Sequence, residues 1–226
     1  MITSIESSKI LIDSTWDNRG NRKMINLIQD FKNQLDEEID ISIGTACETM
    51  KKGYPQSLLT NFTADAMKKR AEKIWGNIDF AVINNGGLRS SINKGTITIA
   101  NMYEVYSFDN TLVLIELQGK EVKRFFDYIA FSGGEGLSHG IHLEIKNKKI
   151  QSLYVGGNSI KNDKIYRIAT LDYLAEGNGG MSVFRKAISL TNSNEYLRDI
   201  MIQYIKDLTY NNQSITAQMD DRIIIK

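Results

Sequence analysis

The chain has 226 residues, 42% of them hydrophobic and 24% charged, with a formal net charge of +1. This is the composition of an ordinary globular protein, long enough for one large domain or a compact pair; it excludes a disordered or collagen-like chain and lacks the basic excess of a duplex nucleic-acid binder. A single cysteine, Cys47, excludes an intrachain disulfide, and two histidines, His139 and His142, are too few for a catalytic zinc or di-metal centre built by this chain alone.

In chain order, Met1 to Ser14 shows no basic region followed by an apolar one, so no secretory signal can be read there. A helix is predicted over about Asn21 to Glu38, where Met24, Leu27, Ile28, Phe31 and Leu35 share one face at a 3.6-residue period. A strand reading of Ile39 to Gly44 follows. The second predicted helix, Gln56 to Trp75, starts beside the only proline, Pro55, which fits its first turn. Asp79 to Ile83 reads as a buried strand running into the turn Asn84-Asn85-Gly86-Gly87. Leu112 to Leu117 is a second apolar strand ended by Gln118-Gly119, and too short an apolar run to span a bilayer. Val122, Phe125, Phe126 and Ile129 then mark a short amphipathic helix, and Ser132 to Gly136 a glycine-rich loop. Ile141 to Ile145, Leu153 to Val155 and Ile165 to Ala169 read as strands joined by turns. Leu197 to Leu208 forms the clearest helix, and Ile223 to Ile225 a closing strand. Helices and strands are interspersed without a strict βαβ rhythm or a linker. The fold class is therefore α+β, with an extension, residues 1–38, carrying one helix packed on a single domain, residues 39–226.

Four stretches place glycine or amide beside an arginine or an aromatic ring near a strand end. Asn84 to Arg89 joins a backbone-permissive turn to a guanidinium fork that can reach an anionic or carbonyl-bearing ligand. Phe108 with Asn110 offers a ring for stacking and a carboxamide for a base edge or a ribose. Tyr173 precedes the flexible loop Gly177-Asn178-Gly179-Gly180, and Ser132 to Gly136 forms the fourth stretch. In isolation each also fits a plain reading: turn with surface arginine, core ring with turn asparagine, or solvent loop.

Together and in this order, they resemble the C-terminal, substrate-specificity domain of the 5'-nucleotidase family, as in UDP-sugar hydrolases and ecto-5'-nucleotidases. The resemblance runs from about Ile39 to the C-terminus. It rests on Ser57 to Met67 for the helix S-N-L-G-N-L-x-A-D-A, Asn84 to Arg89 for N-x-G-G-I-R, Ser107 to Asn110 for P-F-x-N, Leu117 to Lys120 for L-T-G-K, and Ala169 to Gly180 for A-T-x-x-F-x-x-G-G-D-G. It implies a domain of mixed sheets flanked by helices that sandwiches a base between Phe108 and Tyr173. Asn84, Arg89, Asn110 and Asn178 would be its polar contacts, and Gly133 would line the pocket.

The family's catalytic motifs, D-x-H, G-N-H-D or G-N-H-E, and G-H-x-H, do not occur in this sequence. The resemblance thus implies a nucleotide- or nucleoside-binding chain that is not catalytic alone and needs no cofactor of its own. Two divalent metals would sit in a separate calcineurin-like metallophosphatase chain, and a periplasmic or cell-surface location is implied. His139 and His142, at i and i+3 near the start of a strand, fall on opposite faces and do not suggest a metal site. Gly179 stands where the family has aspartate, Ser107 where it has proline, and Lys51 and Lys52 lie near the place of an arginine. These departures support an alternative expectation, a degenerate binding or interaction module of the same fold that no longer recognises nucleotides.

Overall fold

The computed structural model describes residues 7–11, 13–15 and 20–226, so part of the stretch read for a secretory signal lies outside the described residues. The chain divides into two compact units, residues 1–40 and 41–226. The first contains helix α1 (Arg22–Ile39), capped by Asn21, whose side-chain oxygen accepts from the amides of Lys23 and Met24 at 3.0 and 3.4 Å. Ile39 belongs to this helix rather than to the following strand, because the apolar period carries through it.

The second unit begins with β1 (Ser42–Ala46), which pairs antiparallel with β3 (Gly95–Thr98). Helix α2 (Leu58–Trp75) starts later than Pro55, because Ser57 forms a capping box with Thr60. The Ser57 hydroxyl accepts from the Thr60 amide at 3.2 Å, and Thr60 Oγ1 accepts from the Ser57 amide at 2.9 Å. Ser57→Ala is expected to lower stability by about 1 kcal/mol. Chemical denaturation checks this, and an unchanged midpoint would count against the cap.

A five-stranded mixed sheet forms the centre, in the order β10-β4-β9-β2-β5. Its strands are β2 (Phe80–Ile83), β4 (Thr111–Gln118), β5 (Gly136–Leu137), β9 (Ile165–Leu171) and β10 (Ser189–Tyr196). Leu112 to Ile115 are buried without alternation, the signature of a strand covered on both faces. Helix α2 and α4 (Gly119–Ser132) both pack on β4 and β9. Gly119 opens α4 instead of ending β4 in a turn, and the position requires glycine because a Cβ there would lie 1.9 Å from the Lys161 carbonyl oxygen. Phe80, Phe125, Phe126 and Phe184 meet in the core, with Phe125 and Phe126 ring centroids 4.9 Å apart.

A second sheet, β11-β6-β7-β8, contains β6 (Ile141–Lys146), β7 (Lys149–Val155), β8 (Asn158–Ser159) and β11 (Ile223–Ile225). The closing strand β11 runs parallel to β6, with Ile223 opposite Leu143. Short helices α3 (Ile99–Val105) and α5 (Asp172–Ala175) and the long α6 (Leu197–Tyr210) complete the unit. The fold is α+β, with mixed sheets flanked by helices. No helix among the described residues is long and apolar enough to cross a membrane.

Candidate functional site

Sheet topology brings four distant segments to one edge. Strands β2 and β9 are parallel, so their C-terminal ends lie side by side, and β4 and β5 run against them and begin there. The turn after β2 (84–89), the loop before β4 (106–110), the segment after β9 (172–180) and the loop before β5 (133–135) therefore leave the sheet together. Ligands of open sheets containing parallel strands commonly bind beyond such carboxyl ends.

Side chains link these segments. The Arg89 guanidinium lies 5.8 Å from the Phe108 ring centroid, and its fork has no ion pair or hydrogen bond among the described residues. Thr111 donates to Asp172 Oδ2 at 2.8 Å, tying the start of β4 to the start of α5, while Asp172 Oδ1 accepts from the Tyr173 amide at 2.7 Å. A Cβ built on Gly179 would lie 3.5 Å from Asn84 Nδ2 and 3.6 Å from Tyr173 Cε1, so the glycine loop, the turn after β2 and the Tyr173 ring are neighbours. The Tyr128 hydroxyl of α4 donates to the Gly179 carbonyl at 3.3 Å.

Phe108 is 47% exposed and Tyr173 44% exposed, a large apolar surface to leave open at a site edge. Asn110 is half-buried; its carbonyl accepts from the Leu197 amide at 2.9 Å, and its carboxamide makes no hydrogen bond among the described residues. The Asn84 carboxamide folds over its own turn, 3.0 Å from where a Gly87 Cβ would stand. Gly133 closes α4 with φ +91° and has open space where a side chain would project. Asn178 has its Nδ2 3.5 Å from Glu176 Oε2 and its carbonyl accepting from the Met181 amide at 3.0 Å. Lys52 Nζ donates to the Leu88 carbonyl at 2.6 Å, beside Arg89.

Sequence reasoning passed over Glu135, which the loop reading places in solvent. Glu135 is buried, and its Oε2 accepts from the Asn85 amide at 2.6 Å and from Asn85 Nδ2 at 3.3 Å. Burial pushes the Glu135 carboxyl above the usual carboxylate range, and the Asn85 hydrogen bonds offset only part of this. Burial also raises the Tyr54 and Tyr128 phenols, and the charge of Glu135 raises both further. A glutamate in a glycine-rich loop carries no local signal of burial; the strand pairing Ile83–Gly136 creates it.

His139 and His142 do not converge. His139 Nδ1 lies 3.1 Å from Asp220 Oδ2, and His142 Nε2 lies 3.7 Å from Glu144 Oε1. No three histidine, cysteine, aspartate or glutamate side chains among the described residues are placed to hold a metal ion. The residues present do not fit the two-metal centre that the family resemblance associates with catalysis.

Residues 38–186 match the family described as 5'-nucleotidase, C-terminal domain. The protein UshA of Yersinia enterocolitica is 28% identical over 81% of this chain and 34% of its own length, and UshA of Escherichia coli is 27% identical over 71% and 30%. The chain thus spans about a third of the length of these curated relatives. Among solved structures, a 5'-nucleotidase precursor from Thermus thermophilus superposes with a TM-score of 0.75 at 21% identity, over 88% of this chain and 42% of that one. The NAD nucleotidase of Haemophilus influenzae gives 0.69 at 20%, over 91% and 41%. These two likenesses show the fold, and the match over residues 38–186 shows the family: this chain belongs to the 5'-nucleotidase C-terminal domain family.

Proposed function

We propose that this chain is a nucleotide- or nucleoside-binding specificity domain acting in nucleotide catabolism with a calcineurin-like metallophosphatase chain. The observation that carries this reading is the pair of exposed rings, Phe108 and Tyr173, at one sheet edge, beside an Arg89 fork and an Asn110 carboxamide that have no hydrogen-bond partner among the described residues. In this reading the rings clamp the base and Asn110 meets its edge. Arg89 and Asn84 are further polar contacts, Gly133 leaves the pocket open, and Asn178 approaches from the glycine loop. Stacking is worth about 1–3 kcal/mol per ring. After association costs, affinity in the range of about millimolar to tens of micromolar is expected.

Calorimetric titration with adenosine and AMP tests the clamp. Phe108→Ala and Tyr173→Ala are each expected to weaken binding by about 5- to 150-fold, the equivalent of one lost stacking contact. Saturable binding left unchanged in both variants would refute the clamp.

Support for the catalytic partner comes from these residues themselves, whose two histidines, His139 and His142, face different carboxylates and join no metal-holding cluster among the described residues. Adding this chain should lower the KM of the metallophosphatase for a nucleotide, and unchanged kinetics would count against the pairing. The family resemblance also supports a periplasmic or cell-surface location, and recovery from the cytosol on fractionation would contradict that.

A further inference from the structure

We propose that the apolar face of α1 is an interface for a second copy of this chain, with the two helices lying antiparallel. The inference is independent of the nucleoside reading and concerns residues outside the sheet-edge site.

Met24, Ile28, Phe31 and Leu35 recur at spacings of four, three and four residues, the pattern of a two-helix seam, with Ile25 and Leu27 on its flanks. These six side chains are between 48% and 67% exposed. A stripe of large apolar side chains left open in this way marks an interaction surface, since monomeric soluble proteins rarely expose one. Away from the stripe the helix satisfies its own polar groups: Gln29 Nε2 donates to Asn33 Oδ1 at 2.7 Å.

The charge pattern selects the occupant. Arg22 and Lys23 open the helix and Asp36, Glu37 and Glu38 close it, with no acidic residue in the first turn and no basic residue in the last. This reverses the arrangement that a helix dipole favours, so both ends are electrostatically unfavourable in an isolated helix. Laid antiparallel on a second copy, each basic N-terminus meets an acidic C-terminus, and the two dipoles oppose. One register satisfies the seam and the ends together. With Met24 opposite Leu35 of the second copy, Ile28 lies opposite its Phe31, Lys23 opposite its Asp36 and Arg22 opposite its Glu37, and a two-fold axis repeats each pair. A parallel pair would instead set the cations of one copy against those of the other, and the carboxylates likewise. A bilayer surface would accept the stripe, but its anionic headgroups repel the acidic end. Two heptads of seam make a small interface, so a dissociation constant of about 10 µM is expected.

The test is sedimentation equilibrium of the full chain from about 1 to 200 µM, with melting curves for every variant. The parent is expected to pass from one chain mass to two across this range. Phe31→Asp is expected to raise the dissociation constant about 100-fold. Arg22→Glu combined with Lys23→Glu is expected to raise it about tenfold, since four carboxylate-bearing ends then face one another. Adding Asp36→Lys and Glu37→Lys to that variant makes the ends complementary again and should return the constant to within about threefold of the parent. A parent that stays monomeric throughout overturns the proposal and leaves the stripe to the chain's own second unit or to a different protein, an outcome that needs no variant to fold. A dimer that survives Phe31→Asp lies elsewhere on the molecule and overturns it too. Dimerisation untouched by the reversal at Arg22 and Lys23 overturns the antiparallel arrangement, because in a parallel pair like charges face each other before and after it.

Discussion

Arg222→Ala is expected to cost about 3 kcal/mol of stability. Arg222 is sealed to 2% side-chain exposure and spends its whole guanidinium on hydrogen bonds, most of them to partners distant in sequence. Nη1 donates to the Leu137 carbonyl at 2.7 Å and to Asp65 Oδ1 at 3.1 Å, and Nη2 donates to Asp65 Oδ2 at 3.1 Å. Nε and Nη2 donate to the two Asp220 oxygens at 2.6 and 2.8 Å. The residue thereby pins the segment before β11 to α2 and β5. Removing it leaves two carboxylates that are 36% and 27% exposed, so they partly rehydrate and the cost falls at the lower end of the range for breaking a buried pair.

The same cluster sets an acid limit. Burial would raise the Asp220 carboxyl, but hydrogen bonds from Arg222 and His139 outweigh it and hold the carboxyl at about 2. A folded-state value below the ordinary carboxylate range contributes stability above about pH 4 that is lost as pH falls toward about 2. Denaturation midpoints measured from pH 6 down to pH 2 should show this acid slope in the parent and a shallower one in Arg222→Ala. Equal midpoints and slopes would show that the network contributes nothing net.

Gly134→Ala is expected to destabilise by about 3 kcal/mol and also to weaken nucleoside binding. Gly134 holds φ +116°, a conformation open to glycine and strained for other residues. A Cβ there would also stand 2.1 Å from the Pro55 carbonyl oxygen and 2.5 Å from Pro55 Cα, backbone atoms that cannot rotate away. Its neighbour provides the control. Gly133 has φ +91° but open space where a Cβ would stand, so Gly133→Ala carries the conformational cost alone, about 1 kcal/mol. Thermal melting of the two variants should separate them clearly, and equal losses would show that the contact with Pro55 is not tight. Because Glu135 follows Gly134 directly, movement of the loop also shifts the carboxylate held by Asn85.

What the sequence determined by itself was whatever local pattern controls. The all-apolar run of β4 and the stripe of α6 were legible because burial of neighbouring positions imposes a continuous run or a period, and α1 and β11 were legible from their own apolar residues, although Met24, Leu27, Ile28, Phe31, Leu35 and Ile225 are exposed. The family resemblance was legible for a similar reason, since its motifs are short and fall in order. Strand β10, SLTNSNEY, left no such trace: it is a polar edge strand held by its ladder with β4, which side-chain hydrophobicity does not report. The tertiary structure alone decided the site's acidic group and the C-terminal lock. Glu135 meets Asn85 across 50 positions, and Arg222 meets Asp65 across 157. Electrostatic and hydrogen-bond contacts of that span impose no periodicity on either segment. They exist because strand pairing brings the ends of β2 and β5 together and the β11 segment onto α2, where the energy of a buried charge depends on its partners and not on its neighbours in sequence.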